Sequence, residues 1–424
     1  MTAVTAAPRS AAPGRRLGAA WKAPIAFGIF SVAAVVLFLG LRREGVSTFR
    51  LSTTRDLIQL PALSVPTLPA SIVFVVLLLA ATAAAIVLVR SGRRVRLWLI
   101  ATFAVLFLAG FLTWASAGET LPVPGLLIGA VSLSTPLIFG ALGGVIGERA
   151  GVVNVAIEGQ LLAGAFVSAV VASATQQPLL GLAAAAVAGT LVSFVLAAFA
   201  IKYVVDQVII GVVLNVLVTG LTSFLYTTLL SPNSATLNSP PRFARITIPF
   251  LGEIPIIGPV LFQQTIIVYC MYVAVAVVWF ALFKTRWGLR VRAVGEHPKA
   301  ADTVGINVAR TRFWNVSLAG AIVGLGGAFF TLGSVGGFTK EMTAGNGFIA
   351  LAAVIFGRWD PVRATLAALL FGFASNLQSV LSIIGSPVPS EFMLMLPYVV
   401  TVFAVAGLVG RSRPPAADGK PYVK

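Results

Sequence analysis

Apolar residues come in runs of about twenty, separated by short polar breaks, and this rhythm decides most of the fold. The runs cover residues 23–41, 71–89, 97–115, 126–146, 162–174, 178–201, 208–230, 265–283, 313–332, 362–384 and 392–409, with a shorter one at 348–356. A helix needs about 20 apolar residues to cross the hydrocarbon core of a bilayer. The pattern therefore predicts an all-α polytopic membrane protein with about twelve transmembrane helices. Two stretches are cut by closely spaced glycines, 143–164 and 333–357. They predict broken or re-entrant helices, and interruptions of this kind in two halves of a transporter point to a central site between repeats.

The polar breaks differ in length and charge. The longest, 284–312, carries seven basic residues (Lys284, Arg286, Arg290, Arg292, Lys299, Arg310, Arg312) against Glu296 and Asp302. With the basic turn Arg90, Arg93, Arg94 and Arg96 and both basic tails, it identifies the cytoplasmic side by the positive-inside rule. Segments placed inside then hold sixteen of the seventeen net positive charges. The segment 41–70, read as an outer connection, goes against the rule with Arg42 and Arg43 beside the first span. That first run is read as a span and not as a signal peptide, because it is long and lacks a small-x-small cleavage site. Inside the 284–312 break the punctuation predicts one short helix over 298–304: Pro298 suits the first helical position, Ala300 and Ala301 favour the helix, and Gly305 suits a left-handed stop.

Composition narrows the chemistry. With 58% hydrophobic and 10% charged residues, no soluble domain is left over. The net charge of +17 is gathered on one face of the membrane, so nucleic acid is not the partner. The single Cys270 and single His297 exclude a disulfide framework and a cysteine or histidine metal cluster within the chain. No Gly-x-Ser-x-Gly elbow and no phosphate-binding loop occurs, so no catalytic residue, metal or cofactor is assigned. Polar residues within or beside the apolar runs mark a pathway, because they are costly there: Asn154, Glu158, Gln160, Asn215 and Asn376 are the translocation candidates, with Asn315 beside them. The bland reading of each is a helix-to-helix hydrogen bond. For Glu158 it is a partner at a helix start or a pair with Arg149, and Asn154 shares its face if 153–162 is helical.

The stretch Arg292-Ala-Val-Gly-Glu296-His-Pro298-x-Ala300-Ala301-x-x-x-Gly305-Ile-Asn307 resembles the cytoplasmic coupling motif of permeases in bacterial ATP-binding-cassette importers, in the subgroup handling branched-chain amino acids, ribose, simple sugars and nucleosides. It differs in Lys299, where the general motif has Glu, and in His297, where the subgroup has Asn. The Gly147–Gln160 segment, GERAGVVNVAIEGQ, and the run VVDQVIIGVVLNVL resemble the same permeases. The resemblance implies a ten-helix core over 126–410 with its coupling loop at 284–312, preceded by a 1–22 tail and a 23–125 extension of about three spans, and followed by a 411–424 tail.

It also implies a permease subunit of the cell membrane, with both termini cytoplasmic, that carries a nucleoside or simple sugar. Its ATPase subunits would engage Glu296, Pro298, Ala300, Ala301 and Gly305; a second permease, the same or different, and an extracytoplasmic substrate-binding protein would complete it. ATP hydrolysis would then fall to the separate ATPase subunits. A branched-chain amino acid permease and an ion-gradient-driven secondary transporter are the alternatives. The latter expects acids deep in several spans, where only Glu158 is a candidate.

Overall fold

The computed structural model describes residues 21–53, 56, 58–385, 395 and 413–423. Among them, ten helices are long and apolar enough to cross a membrane: α1 (Lys22–Gly40), α2 (Thr67–Arg90), α3 (Leu97–Ala115), α4 (Val123–Arg149), α5 (Ile157–Thr175), α6 (Pro178–Lys202), α7 (Gln207–Leu230), α8 (Ile266–Lys284), and, after two short helices, α11 (Val308–Val335) and α13 (Pro361–Ile383). The short ones are α9 (Arg286–Glu296) and α10 (Pro298–Thr303). An eleven-residue apolar helix, α12 (Asn346–Phe356), precedes α13. The chain is thus an all-α polytopic membrane protein. The run at 392–409, except residue 395, lies outside the described residues, as does most of the 1–22 tail.

The described chain forms two compact units, the first built mainly from residues up to 121 and the second from residues 122 onward together with 50–62. In the first, α1–α3 pack through aromatic side chains, with Phe27 stacked on Phe103 at 4.0 Å between centroids. A buried hydroxyl pair, Ser31–Thr82 at 2.9 Å, ties α1 to α2. The 41–70 connection holds strands β1 (Val46–Arg50) and β2 (Leu63–Pro66), and β1 lies in the sheet between β2 and β3 (Thr120–Pro122). Strands of three to five residues have too little period-two pattern to be read from sequence. Arg43, which opposed the charge rule, donates to the carbonyls of Ala115 (2.7 Å) and Trp114 (3.3 Å). It caps the C-terminus of α3, where a cation is favourable.

In the second unit α4 runs unbroken through Gly140, Gly143, Gly144 and Gly147, where the glycines form a packing surface. The breaks fall within the two glycine-interrupted stretches 143–164 and 333–357, at 150–156 and 336–345. Gly151, at φ 86°, turns the chain out of α4. The centre of the unit is α11, whose small residues let neighbouring backbones close in. A Cβ added at Gly324 would overlap the carbonyl of Ala185, and one at Gly189 on α6 would overlap the carbonyl of Gly320. A Cβ at Gly327 would likewise overlap the carbonyl of Leu161 on α5. This is small-residue packing of the kind that lets membrane helices associate without a hydrophobic drive.

The 284–312 break holds two helices where the sequence predicts one. α9 went unpredicted because Gly288 and Gly295 punctuate it; both are buried where its backbone meets another, Gly288 against Leu282 and Gly295 against Arg149. The side-chain oxygen of Thr285 caps α9 by accepting from Gly288 N at 3.2 Å.

Candidate functional site

Two polar constructions stand out in the second unit. The first lies where the starts of α5 and α12 meet. The Glu158 carboxylate, in the first turn of α5, accepts from Thr343 Oγ1 (2.6 Å), Gly345 N (2.9 Å) and Gly347 N (2.6 Å). The last two belong to the N-terminus of α12, where unpaired backbone donors and the helix dipole favour an anion. Glu341, Ala344 and Gly345 all have positive φ, which folds the approach to α12 tightly enough to aim its amides at one carboxylate. At Gly347 a Cβ would overlap the backbone N of Glu158, so the two helix starts touch main chain to main chain.

The depth of this knot follows from α4. Gly140 faces Ala350 and Ile157, and Gly144 faces Val354, so α12 runs alongside α4 over successive turns. Gly140 is nine residues from Arg149, the basic end of α4. At 1.5 Å per residue the knot lies about 13 Å inside that end, within the span.

The non-helical entry to α5 has orphan backbone groups, and the neighbouring helices satisfy them. Asn215 on α7 accepts from Gly159 N (2.8 Å) and donates to Val155 O (2.9 Å). Gln207 accepts from Val153 N at 2.8 Å. Asn154 and Gln160 bond to each other (3.0 Å), and Gln160 also donates to Ser193 on α6 (2.9 Å). Asn154, Gln160 and Ser193 are fully buried. The helical face expected to join Asn154 to Glu158 does not exist, because α5 begins only at Ile157. Glu158 is not paired with Arg149, whose Nε donates to Trp359 O at 3.0 Å. Trp359 Nε1 in turn donates to Glu148.

Four of the five pathway candidates thus meet around one helix start, each with an internal partner. Asn376 stands apart. Its amide donates to Leu126 O (2.7 Å) on α4, fourteen residues or about 21 Å from Gly140 along the axis. None of the five lines either of two cavities found among the described residues. The larger, about 430 Å³, includes Trp287, Arg290, Arg310 and Trp314, and the smaller, about 310 Å³, includes Ser132, Arg242 and Ser334.

The second construction is the surface around α10. Pro298 occupies the first turn and Gly305 takes φ 85° after it, with the helix one residue shorter than predicted. The two alanines have opposite fates. Ala300 is exposed, whereas Ala301 is 3% exposed and packs with Val294 and Val308. Ala301 is therefore interior, and the outward residues of this helix end are Ala300, Thr303 and Val304. His297 is an exposed helix-entry residue. Asn307 caps α11, its Oδ1 accepting from Arg310 N at 2.9 Å.

Against this surface lies the segment 413–423. Ala417 N donates to Gly295 O (2.9 Å) and Ala416 N to Glu296 Oε2 (3.2 Å). The Arg312 guanidinium, on a residue only 2% exposed, donates to Lys420 O at 2.9 Å and Ala417 O at 3.5 Å. Burial raises the Asp418 carboxyl to about 7, although Gly419 N–H and Arg312 pull the other way.

Residues 126–405 match the family described as branched-chain amino acid transport system / permease component. The chain belongs to this family. The guanosine ABC transporter permease protein NupQ of Bacillus subtilis is 43% identical over 71% of this chain and 96% of its own length. The nucleoside ABC transporter permease protein NupC of Lactococcus lactis is 40% identical over 69% of this chain and 94% of its own. A second guanosine ABC transporter permease protein of Bacillus subtilis, NupP, is 27% identical over 67% of this chain and 83% of its own. No solved structure matches the chain. The family match starts three residues into α4, so α1–α3 of this permease lie outside it.

Sequence reasoning missed Gln207, Ser193 and Thr343, which complete the polar knot, and the whole 413–423 segment. A signal was present for the segment: Tyr422 is an aromatic residue in a largely polar, proline-rich tail, three residues after Gly419.

Proposed function

We propose that this permease is one transmembrane subunit of an ATP-binding-cassette importer for nucleosides, with α10 as the seat of its ATPase. The observation that carries the reading is the division of labour between the two alanines. Ala301 anchors a six-residue helix that would be marginal alone, and Ala300 leaves its outer face low and smooth. Glu296, Pro298 and Gly305 serve by ending or starting the backbone around it. ATP is hydrolysed on separate subunits, and an extracytoplasmic binding protein delivers the cargo. The basic end faces the cytoplasm of a bacterial cell, and both termini lie on that side.

The nucleoside assignment rests on NupQ and NupC, whose names specify guanosine and nucleosides. The existence of NupP beside NupQ in one organism supports a related but different permease as the second subunit. The Glu158 knot then acts as the fixed mid-membrane pivot at which the two broken helices are joined, beside the path and not on its wall.

The test is Ala300→Arg in the assembled transporter. It is expected to insert normally, to lose its ATPase on purification and to take up no labelled guanosine. Full guanosine uptake by this variant refutes the seat, and uptake of leucine but not guanosine by the unaltered transporter refutes the cargo. Cysteines placed at Ser234 and Gly337 should react with an impermeant reagent from outside the cell, and those at Arg93 and Arg310 only after permeabilisation.

A further inference from the structure

We infer that residues 413–423 are a structural part of the ATPase-docking surface, a strap that completes α10 and ties it to α11, with Arg312 and Tyr422 as its positioning residues. This rests on the docking role proposed for α10. The strap makes contacts along its length. Its Ala416 and Ala417 amides pair with the end of α9, at Glu296 and Gly295. The Ala417 and Lys420 carbonyls are held by Arg312 on α11. Tyr422 joins the cluster of Val294, Ala301 and Val308, together with Ala293 and Ile306, and its hydroxyl bonds to Asp302 of α10.

Each partner needs the strap. A six-residue helix has too few internal hydrogen bonds to hold its place. Remove Tyr422 and the inner side of Ala301 loses an aromatic neighbour that both buries it and pairs with the same helix through its hydroxyl. Arg312 is buried and its guanidinium donates to the strap carbonyls of Lys420 and Ala417. Without the strap its charge is left buried and unpaired, which is strongly unfavourable. Gly151 adds to the fit, since a Cβ there would press on Arg312 Nη2 at 2.7 Å and Ala417 O at 3.2 Å.

The consequence is mechanical. A push on α10 can reach the membrane through the short 304–307 link or through Tyr422, the strap and Arg312 into α11. The second route bypasses the link and makes α9, α10 and the start of α11 one body. The surface presented to the ATPase is then composite. Val304 and Val423, which flank the Asp302–Tyr422 contact in sequence, are 75% and 72% exposed. Lys420 is exposed on the same segment. The partner that fits is an ATPase surface with an apolar floor and an acidic rim.

The test uses the complete transporter, both permeases with ATPase and binding protein, in proteoliposomes, and reads guanosine transported per ATP hydrolysed. Stopping the chain after residue 412, combined with Arg312→Leu so that no charge is stranded, should leave ATP hydrolysis in place and lower that ratio at least fivefold. Tyr422→Ala should lower it by a smaller factor and Tyr422→Phe should restore most of it. With Cys270→Ser, a disulfide between Asp302→Cys and Tyr422→Cys should leave the ratio unchanged, because the strap stays docked throughout the cycle. A wild-type ratio in the shortened chain, or loss of transport on forming the disulfide, overturns the strap. Ala300→Arg in the same assay reports on the docking role alone: if it abolishes ATPase binding while the shortened chain keeps a wild-type ratio, only the strap is wrong.

Discussion

The polar knot at Glu158 and the surface around α10 are built from similar parts, a short helix start, a few glycines and one ionisable side chain, yet they are held in opposite ways. At the knot every hydrogen bond of the carboxylate is internal and short, and two backbones touch across Gly347. Around α10 the helix is six residues long, half its side chains face outward, and much of what holds it comes from a segment more than a hundred residues away in sequence. Polar groups in a membrane interior must be satisfied within the protein, whereas those at the basic end can exchange partners with water or another chain. The first construction is suited to stay still and the second to be gripped.

The most severe way to break that contrast is Glu158→Leu. It strands Gly345 N, Gly347 N and the Thr343 hydroxyl, a loss of about 4 kcal/mol or more, and the detergent-solubilised permease should fail to give a cooperative thermal transition. Glu158→Gln retains part of the network and should unfold earlier than the unaltered chain while still assembling.

Next in size, Gly347→Ala forces two main chains apart at a cost of about 1–3 kcal/mol, visible as a lower midpoint in the same melt. If it melts like the unaltered chain, the close approach is not a constraint.

Substitutions at the basic end should leave the global melt almost untouched and show instead as local opening. Ala301→Arg drives a charge into the Val294–Val308 cluster and should speed amide hydrogen exchange over 293–308, while Ala300→Arg, on the surface, should not. Equal exchange in the two variants would erase the distinction between the alanines.

The smallest effect expected is one of pH. The docked strap holds Asp418 with its carboxyl raised to about 7, whereas a free aspartate titrates near 3.9. The docked form therefore keeps a proton that the undocked form gives up, so docking is favoured at low pH and weakens as pH rises toward 7. Glu148, Arg149, Glu296 and Arg312 share that neighbourhood and set its level. The protection factors of the Ala416 and Ala417 amides against hydrogen exchange should be higher at pH 5.5 than at pH 8, and Asp418→Asn should flatten the difference.

Much of this architecture was legible beforehand, for reasons that differ by element. Apolar runs fixed the long helices because length alone decides what crosses a bilayer, and Pro298 with Gly305 bracketed α10 because both act through local backbone geometry. The breaks at 150–156 and 336–345 lie within the stretches 143–164 and 333–357 that the glycines mark, but their edges were not legible, since glycine density signals close packing as readily as interruption: Gly143, Gly144 and Gly147 still belong to an intact α4, and the chain leaves helix only at Ala150. Ala300 and Ala301 are indistinguishable by composition and separate only once Val294 and Val308 are in place. Asn215 looks like a pathway amide until the open backbone at 150–156 is seen to need it. The strap was hidden because its partners, Gly295 and Arg312, give no sign in one dimension of what covers them.

The glycine seam along α11 carries a last consequence. Where side chains interlock, a helix can move lengthwise only by lifting each knob over the next. At Gly320, Gly324 and Gly327 there is nothing to lift, and α11 lies against α5 and α6 as a smooth rod lies in a trough. Leaning away gives up the whole contact at once, and a single methyl group at Gly324 would meet the Ala185 carbonyl and hold the two helices apart along their length.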